Sequence, residues 1–206
     1  MSIKIAALIG AASAIFAANS ASAAEIVSDG AWAGTLQIRY FSPVGESFVA
    51  RDPNLNSIGF FYVPVSTFLP IAPVTLTLFD GAGLNGTVIA SRTFQPPAGV
   101  QGFFDANFNG TALTVGSTYT AAVSSPNEYF GVSYALSTYS EGRVYAPMDL
   151  APYLPFSPGS IDLRFRILGS AVPEPATWAL MILGFGMVGA AVRRRTPVVR
   201  GAVSYG

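Results

Sequence analysis

Ile161-Asp162-Leu163-Arg164-Phe165-Arg166-Ile167 alternates large apolar residues with charged ones through seven positions. Successive side chains of an extended strand point to opposite faces. The alternation therefore predicts a half-buried strand, with Ile161, Leu163, Phe165 and Ile167 inward and Asp162, Arg164 and Arg166 on the other face. Val74-Thr75-Leu76-Thr77-Leu78 repeats the pattern. Between and before these two stretches, residues 35–41, 47–50, 57–63, 87–94, 100–108, 119–123 and 132–136 read as further short strands. Turn residues separate them: Gly81-Ala82-Gly83, Asn85-Gly86, Pro96-Pro97, Asn109-Gly110, Gly116 and Ser125-Pro126-Asn127. Eight or nine short strands with no sustained helical period predict an all-β, antiparallel sandwich. The proline-rich stretch 147–158 reads as a long loop leading into the last strand.

The chain has 206 residues, 51% of them hydrophobic and only 11% charged, with no cysteine and no histidine. The missing residue types exclude Ser-His-Asp and Cys-His catalysis, imidazole metal sites, disulfides and iron–sulfur clusters. Acids and bases balance at eleven each, and no basic excess marks a nucleic-acid binder. The balance hides an asymmetry. Residues 24–171 carry ten acids against six arginines, a net charge of about −4, and the C-terminal end is basic.

Both ends read as segments outside the fold. Residues 1–23 have the plan of a secretory signal peptide: Lys4 in a positive start, an apolar stretch from Ile5 to Ala18, and Ala21-Ser22-Ala23 as the small-x-small site for signal peptidase. Cleavage is expected after Ala23, with Ala21 and Ala23 forming the site. At the other end Ala176–Val192 is an uncharged run of seventeen residues, at the lower edge of a transmembrane helix. Trp178 stands where an interfacial aromatic belongs, and Arg193, Arg194 and Arg195 form a stop-transfer cluster. Together these place residues 24–171 outside the cytoplasm as an ectodomain and the short tail 196–206 inside.

Val172-Pro173-Glu174-Pro175-Ala176-Thr177-Trp178-Ala179 precedes the apolar run, its prolines holding the backbone extended. The order Pro-Glu-Pro, hydrophobic helix, arginine cluster over residues 172–195 resembles the PEP-CTERM protein-sorting signal, and Trp178-Ala179 is similar to its PEPxxWA variety. The resemblance implies Pro173, Glu174, Pro175, Trp178 and Ala179 as the sorting motif. It also implies an exosortase, a membrane-embedded cysteine transpeptidase, as processing partner. By that resemblance the chain is an exosortase substrate in a Gram-negative bacterium, held in the inner membrane as a precursor and then sent to the cell surface or extracellular matrix. Exopolysaccharide is the further partner it suggests. The run of features from Phe79-Asp80-Gly81 through Phe103-Phe104 to Leu113–Thr120 resembles jelly-roll-like sandwich modules found ahead of such signals, many of whose relatives bind carbohydrate.

Chemistry within the domain is sparse. Glu46, Asp105, Glu128, Glu141 and Asp149 are carboxylates from which a hydrolase pair could be drawn, but none lies in a distinctive motif. No catalytic residue and no cofactor are assigned. Asp80, opening the Gly-rich turn 80–85, is a candidate calcium ligand, set against a plain hairpin loop in which glycines supply positive φ. Trp32 and the tyrosines between Tyr129 and Tyr153 could stack on sugars, set against ordinary sheet packing. The expectation is a non-enzymatic exported protein, adhesive or structural in an exopolysaccharide matrix; the alternatives are a carbohydrate-binding module and a polysaccharide-active enzyme.

Overall fold

A computed structural model describes residues 25–66, 68–170 and 175–193. Two antiparallel sheets enclose one hydrophobic core. The first holds β1 (Glu25–Ser28), β2 (Trp32–Gln37), β4 (Asn54–Pro64), β7 (Gly102–Ala112), β9 (Phe130–Leu136), β11 (Ile161–Leu163) and β12 (Phe165–Gly169). The second runs in the order β10 (Val144–Tyr145), β3 (Val44–Val49), β8 (Thr118–Ser124), β5 (Val74–Asp80), β6 (Val88–Phe94). These strands belong to one compact unit; the helix α2 (Pro175–Arg193) belongs to another.

The alternating stretches do what their period requires. Leu76 and Leu78 are buried in β5, and Ile161, Leu163, Phe165 and Ile167 in β11 and β12. They meet Phe48 and Val123 from one sheet and Ile58, Phe60 and Tyr62 from the other.

Three differences from the sequence reading have physical causes. Residues 35–41 do not form one strand: β2 ends at Gln37, and Ile38–Phe41 form a single helical turn, α1. That turn carries the chain from the seven-stranded sheet to the five-stranded one, burying Ile38 and Phe41 on the way. The final strand is interrupted at Arg164, whose N–H donates to the Ser133 carbonyl and whose carbonyl accepts from the Phe61 N–H. β11 pairs with β9 and β12 with β4, while the end of β4 pairs with β9 beyond β11, so the last strand bridges two neighbours. Finally, Asp162 is not solvated. It is 2% exposed, and its Oδ2 accepts the N–H groups of Thr138 at 2.6 Å and Tyr139 at 2.7 Å. The segment after β9 returns against β11, and its two N–H groups need an acceptor.

The stretch 147–158 is largely loop as read, with a 3₁₀ turn at Ala151–Tyr153.

Candidate functional site: the C-terminal helix and the outer faces of the sandwich

In the sorting segment, Pro175 opens α2, a position where its fixed φ suits the first helical residue and its missing N–H costs nothing. Arg193 closes the last turn, where a cation complements the helix dipole. Met181, Ile182, Leu183, Phe185, Met187 and Val188 are all exposed. At a helical spacing these positions surround the axis rather than forming one stripe. Among the described residues no helix is long and apolar enough to cross a membrane. The side chains of Trp178 and Ala179, and all of Pro173, Glu174, Arg194 and Arg195, lie outside the described residues, as do Ala21 and Ala23 of the signal-peptidase site.

The carboxylates of the domain serve its backbone and its ion pairs. Asp149 accepts the Ala151 N–H at 2.9 Å, closing its own turn. Glu141 pairs with Arg51 at 2.8 Å, which lowers its pKa. Asp105 accepts Arg166 Nε at 2.7 Å. Glu128 is exposed on the turn before β9. Glu46 differs from all of them. It shares the inward face of β3 with Val44 and Phe48, is fully buried, and accepts the Leu163 N–H of the opposite sheet at 3.0 Å through Oε2. Its Oε1 has no hydrogen-bond partner. Burial pushes its pKa well above the usual carboxylate range; the Leu163 N–H opposes that shift and Asp162 adds to it. The signal for this was available: residues 44, 46 and 48 share a parity, and the two apolar members fix the face.

Asp80 ends β5 and is exposed. Gly81 and Gly83 have φ of 79° and 103°, which is the glycine role in such a turn. The Thr120 hydroxyl ties the loop down, donating to the Gly81 carbonyl and accepting the Gly83 N–H, each at 2.8 Å. Among the described residues no three His, Cys, Asp or Glu side chains group to hold a metal.

The tyrosines between 129 and 153 are divided. Tyr129, Tyr134 and Tyr139 are buried in the core, and the hydroxyls of Tyr129 and Tyr139 accept backbone N–H groups of Gly99 and Val49. Tyr153 is exposed and packs edge-on against Tyr40 and Phe41.

A surface of which the sequence singled out only Trp32 as a sugar-stacking residue lies on the outer face of the seven-stranded sheet. Phe61 and Phe103 are directly paired across β4 and β7, with rings 5.3 Å apart and edge to face. Arg164 lies over the Phe61 ring at 3.9 Å and is ion-paired with Asp29. Arg166 lies over Phe103 at 5.0 Å and reaches Asp105. It crosses Gly59, paired with both Arg166 and Asp105; a Cβ there would sit 1.9 Å from Asp105 Oδ1. Beside this array is an open groove of about 270 Å³ lined by Trp32, Thr35, Phe61, Val63, Gln101 and Arg164.

Residues 171–195 match the PEP-CTERM protein-sorting motif. No curated protein matches the chain. The motif indicates an exported, exosortase-targeted protein.

Proposed function

We propose that the chain is a non-enzymatic envelope protein whose two-sheet domain, jelly-roll-like by resemblance, acts as an adhesive or structural element of an exopolysaccharide matrix. The observation that carries this reading is the sorting motif at residues 171–195, which joins Pro173-Glu174-Pro175 to an apolar helix and an arginine cluster. Residues 1–23 direct export and are removed. Ala176–Val192 holds the precursor in the inner membrane; its uncharged length, the exposed apolar side chains from Met181 to Val188 and the three following arginines support that role. Pro173-Glu174-Pro175 is presented to the exosortase, which supplies the catalytic cysteine that this chain lacks. The domain then reaches the cell surface or matrix.

The test is fractionation of a chain tagged inside the domain, in cells with and without the exosortase. Replacing Pro173, Glu174 and Pro175 by alanine leaves export and the new N-terminus near Ala24 intact, and traps a protein still carrying its C-terminal helix in the inner membrane. Surface-located wild-type protein that retains that helix, in cells that have the enzyme, refutes the sorting role.

A further inference from the structure

We propose that the groove beside Trp32 on the outer face of the seven-stranded sheet binds a neutral pyranose ring of a glycan chain. This goes beyond the sorting role, which concerns where the domain is delivered.

Three properties of the groove point to that ligand. First, the indole of Trp32 is 66% exposed although it sits on a strand, and Phe61 and Val63 continue the apolar surface below it. An exposed aromatic face matches the C–H face of a sugar ring, which is apolar and flat; indole also keeps a polar edge for water or ligand. The Trp32 Nε1–H is only loosely engaged, 3.4 Å from Thr35 Oγ1.

Second, the polar groups around the apolar floor are of the kind that read hydroxyls. The Gln101 amide and Thr35 hydroxyl each donate and accept, and the Arg164 guanidinium donates. A few placed polar groups on a mostly apolar concavity is the usual composition of a small-molecule site.

Third, the charge is already balanced. Arg164 is the charged residue of the lining, and Asp29 neutralises it through Nε at 2.8 Å and through Nη2. Its contact with the Phe61 ring, 3.9 Å from the centroid, holds the guanidinium against the floor. A uronate or sulfated sugar would have to compete with Asp29, whereas a neutral sugar accepts from Arg164 without displacing it. At about 270 Å³ the groove is near the lower bound of ~300 Å³ for small-molecule pockets. It takes one ring, with the rest of the chain on open surface.

The test is calorimetric titration of the full-length protein in detergent with β-1,3-linked and β-1,4-linked glucohexaose, using a hexamer of galacturonate as the charged comparison. Binding of at least one neutral hexamer is expected, with Trp32→Ala weakening it at least about tenfold and Gln101→Ala weakening it by a smaller factor. Trp32→Phe retains part of the affinity. Melting temperatures of the three variants should match the wild type, because both side chains lie at the surface. No binding of either neutral hexamer, equal affinity in Trp32→Ala, or tighter binding of the galacturonate hexamer overturns the proposal. Self-association of the wild type that Trp32→Ala abolishes, without glycan binding, also overturns it by assigning the face to a second copy. Sorting is unaffected by these variants, so failure here leaves the exosortase reading standing, and loss of sorting in the Pro173-Glu174-Pro175 variant leaves the groove intact.

Discussion

Replacing Glu46 by glutamine should change how the stability of the domain depends on pH. The carboxyl is fully buried between the sheets, with one oxygen on the Leu163 N–H at 3.0 Å and the other without a partner. Such a site favours the neutral acid, and Asp162 nearby disfavours a second negative charge. The folded protein therefore keeps the Glu46 proton above the unfolded pKa of ~4.3. In the window between the unfolded and the raised folded pKa, the native state binds one more proton than the unfolded state. Stability from this group is fully present below ~4.3 and falls as pH rises, with a slope approaching ~1.4 kcal/mol per pH unit, until the folded pKa is passed. Glutamine offers the same carbonyl to Leu163 and does not titrate. Urea unfolding of wild type and Glu46→Gln, measured in steps from about pH 4.5 to 8, should give a stability difference that moves steadily in favour of the variant. Exposed pairs cancel in this comparison: Glu141, lowered by Arg51, gains its contribution above its unfolded pKa and loses it as pH falls, but does so in both proteins. Parallel curves for the two proteins would show that Glu46 is solvated or ionised in the fold, and would refute its placement between the sheets.

Other consequences follow from the same coordinates. Leu163→Ala should cost about 2–5 kcal/mol by emptying core volume, whereas Arg164→Ala should cost about 1 kcal/mol through its lost contact with Phe61; equal losses in chemical denaturation would put the strand in the wrong register. Gly59→Ala forces a methyl group to within 1.9 Å of Asp105 Oδ1 and should cost about 1–3 kcal/mol. Much of that loss should disappear when Asp105→Ala is made as well, and an additive double-mutant cycle would show that the two positions do not meet.

The parts of this protein that could be read from sequence are those written locally. Pro-Glu-Pro, the uncharged run and the arginines stand side by side, so their order survives without any knowledge of the fold. The alternation at 74–78 and 161–167 gave the inward faces because each residue's face depends only on its own parity. Parity says nothing about what else packs against a residue. It separates Asp162 from the apolar face but does not show its burial, which comes from the chain after β9 and the two N–H groups it supplies. Charge alone makes Glu46 one candidate carboxylate among several, whereas its neighbours in parity, Val44 and Phe48, place it inside the sandwich. Residues 36–40 alternate well enough for a strand, yet the chain must change sheets at that point, and a helical turn does it.

Trp32 could be read as a sugar-stacking residue from its type alone, but the surface beside it could not, since that surface depends on register. Phe61 meets Phe103 because β4 pairs with β7 in one alignment, and Arg164 lies over Phe61 because the last strand breaks between β9 and β4. Arg166 reaches Asp105 across a glycine that both residues oppose. A slip of one residue in any of these pairings would turn the aromatic rings inward and leave the arginines with no surface to lie on. The register that the core fixes therefore fixes the outer face as well. The rings and guanidinium groups there are held in place by pairing on three strands, beside the exposed indole of Trp32.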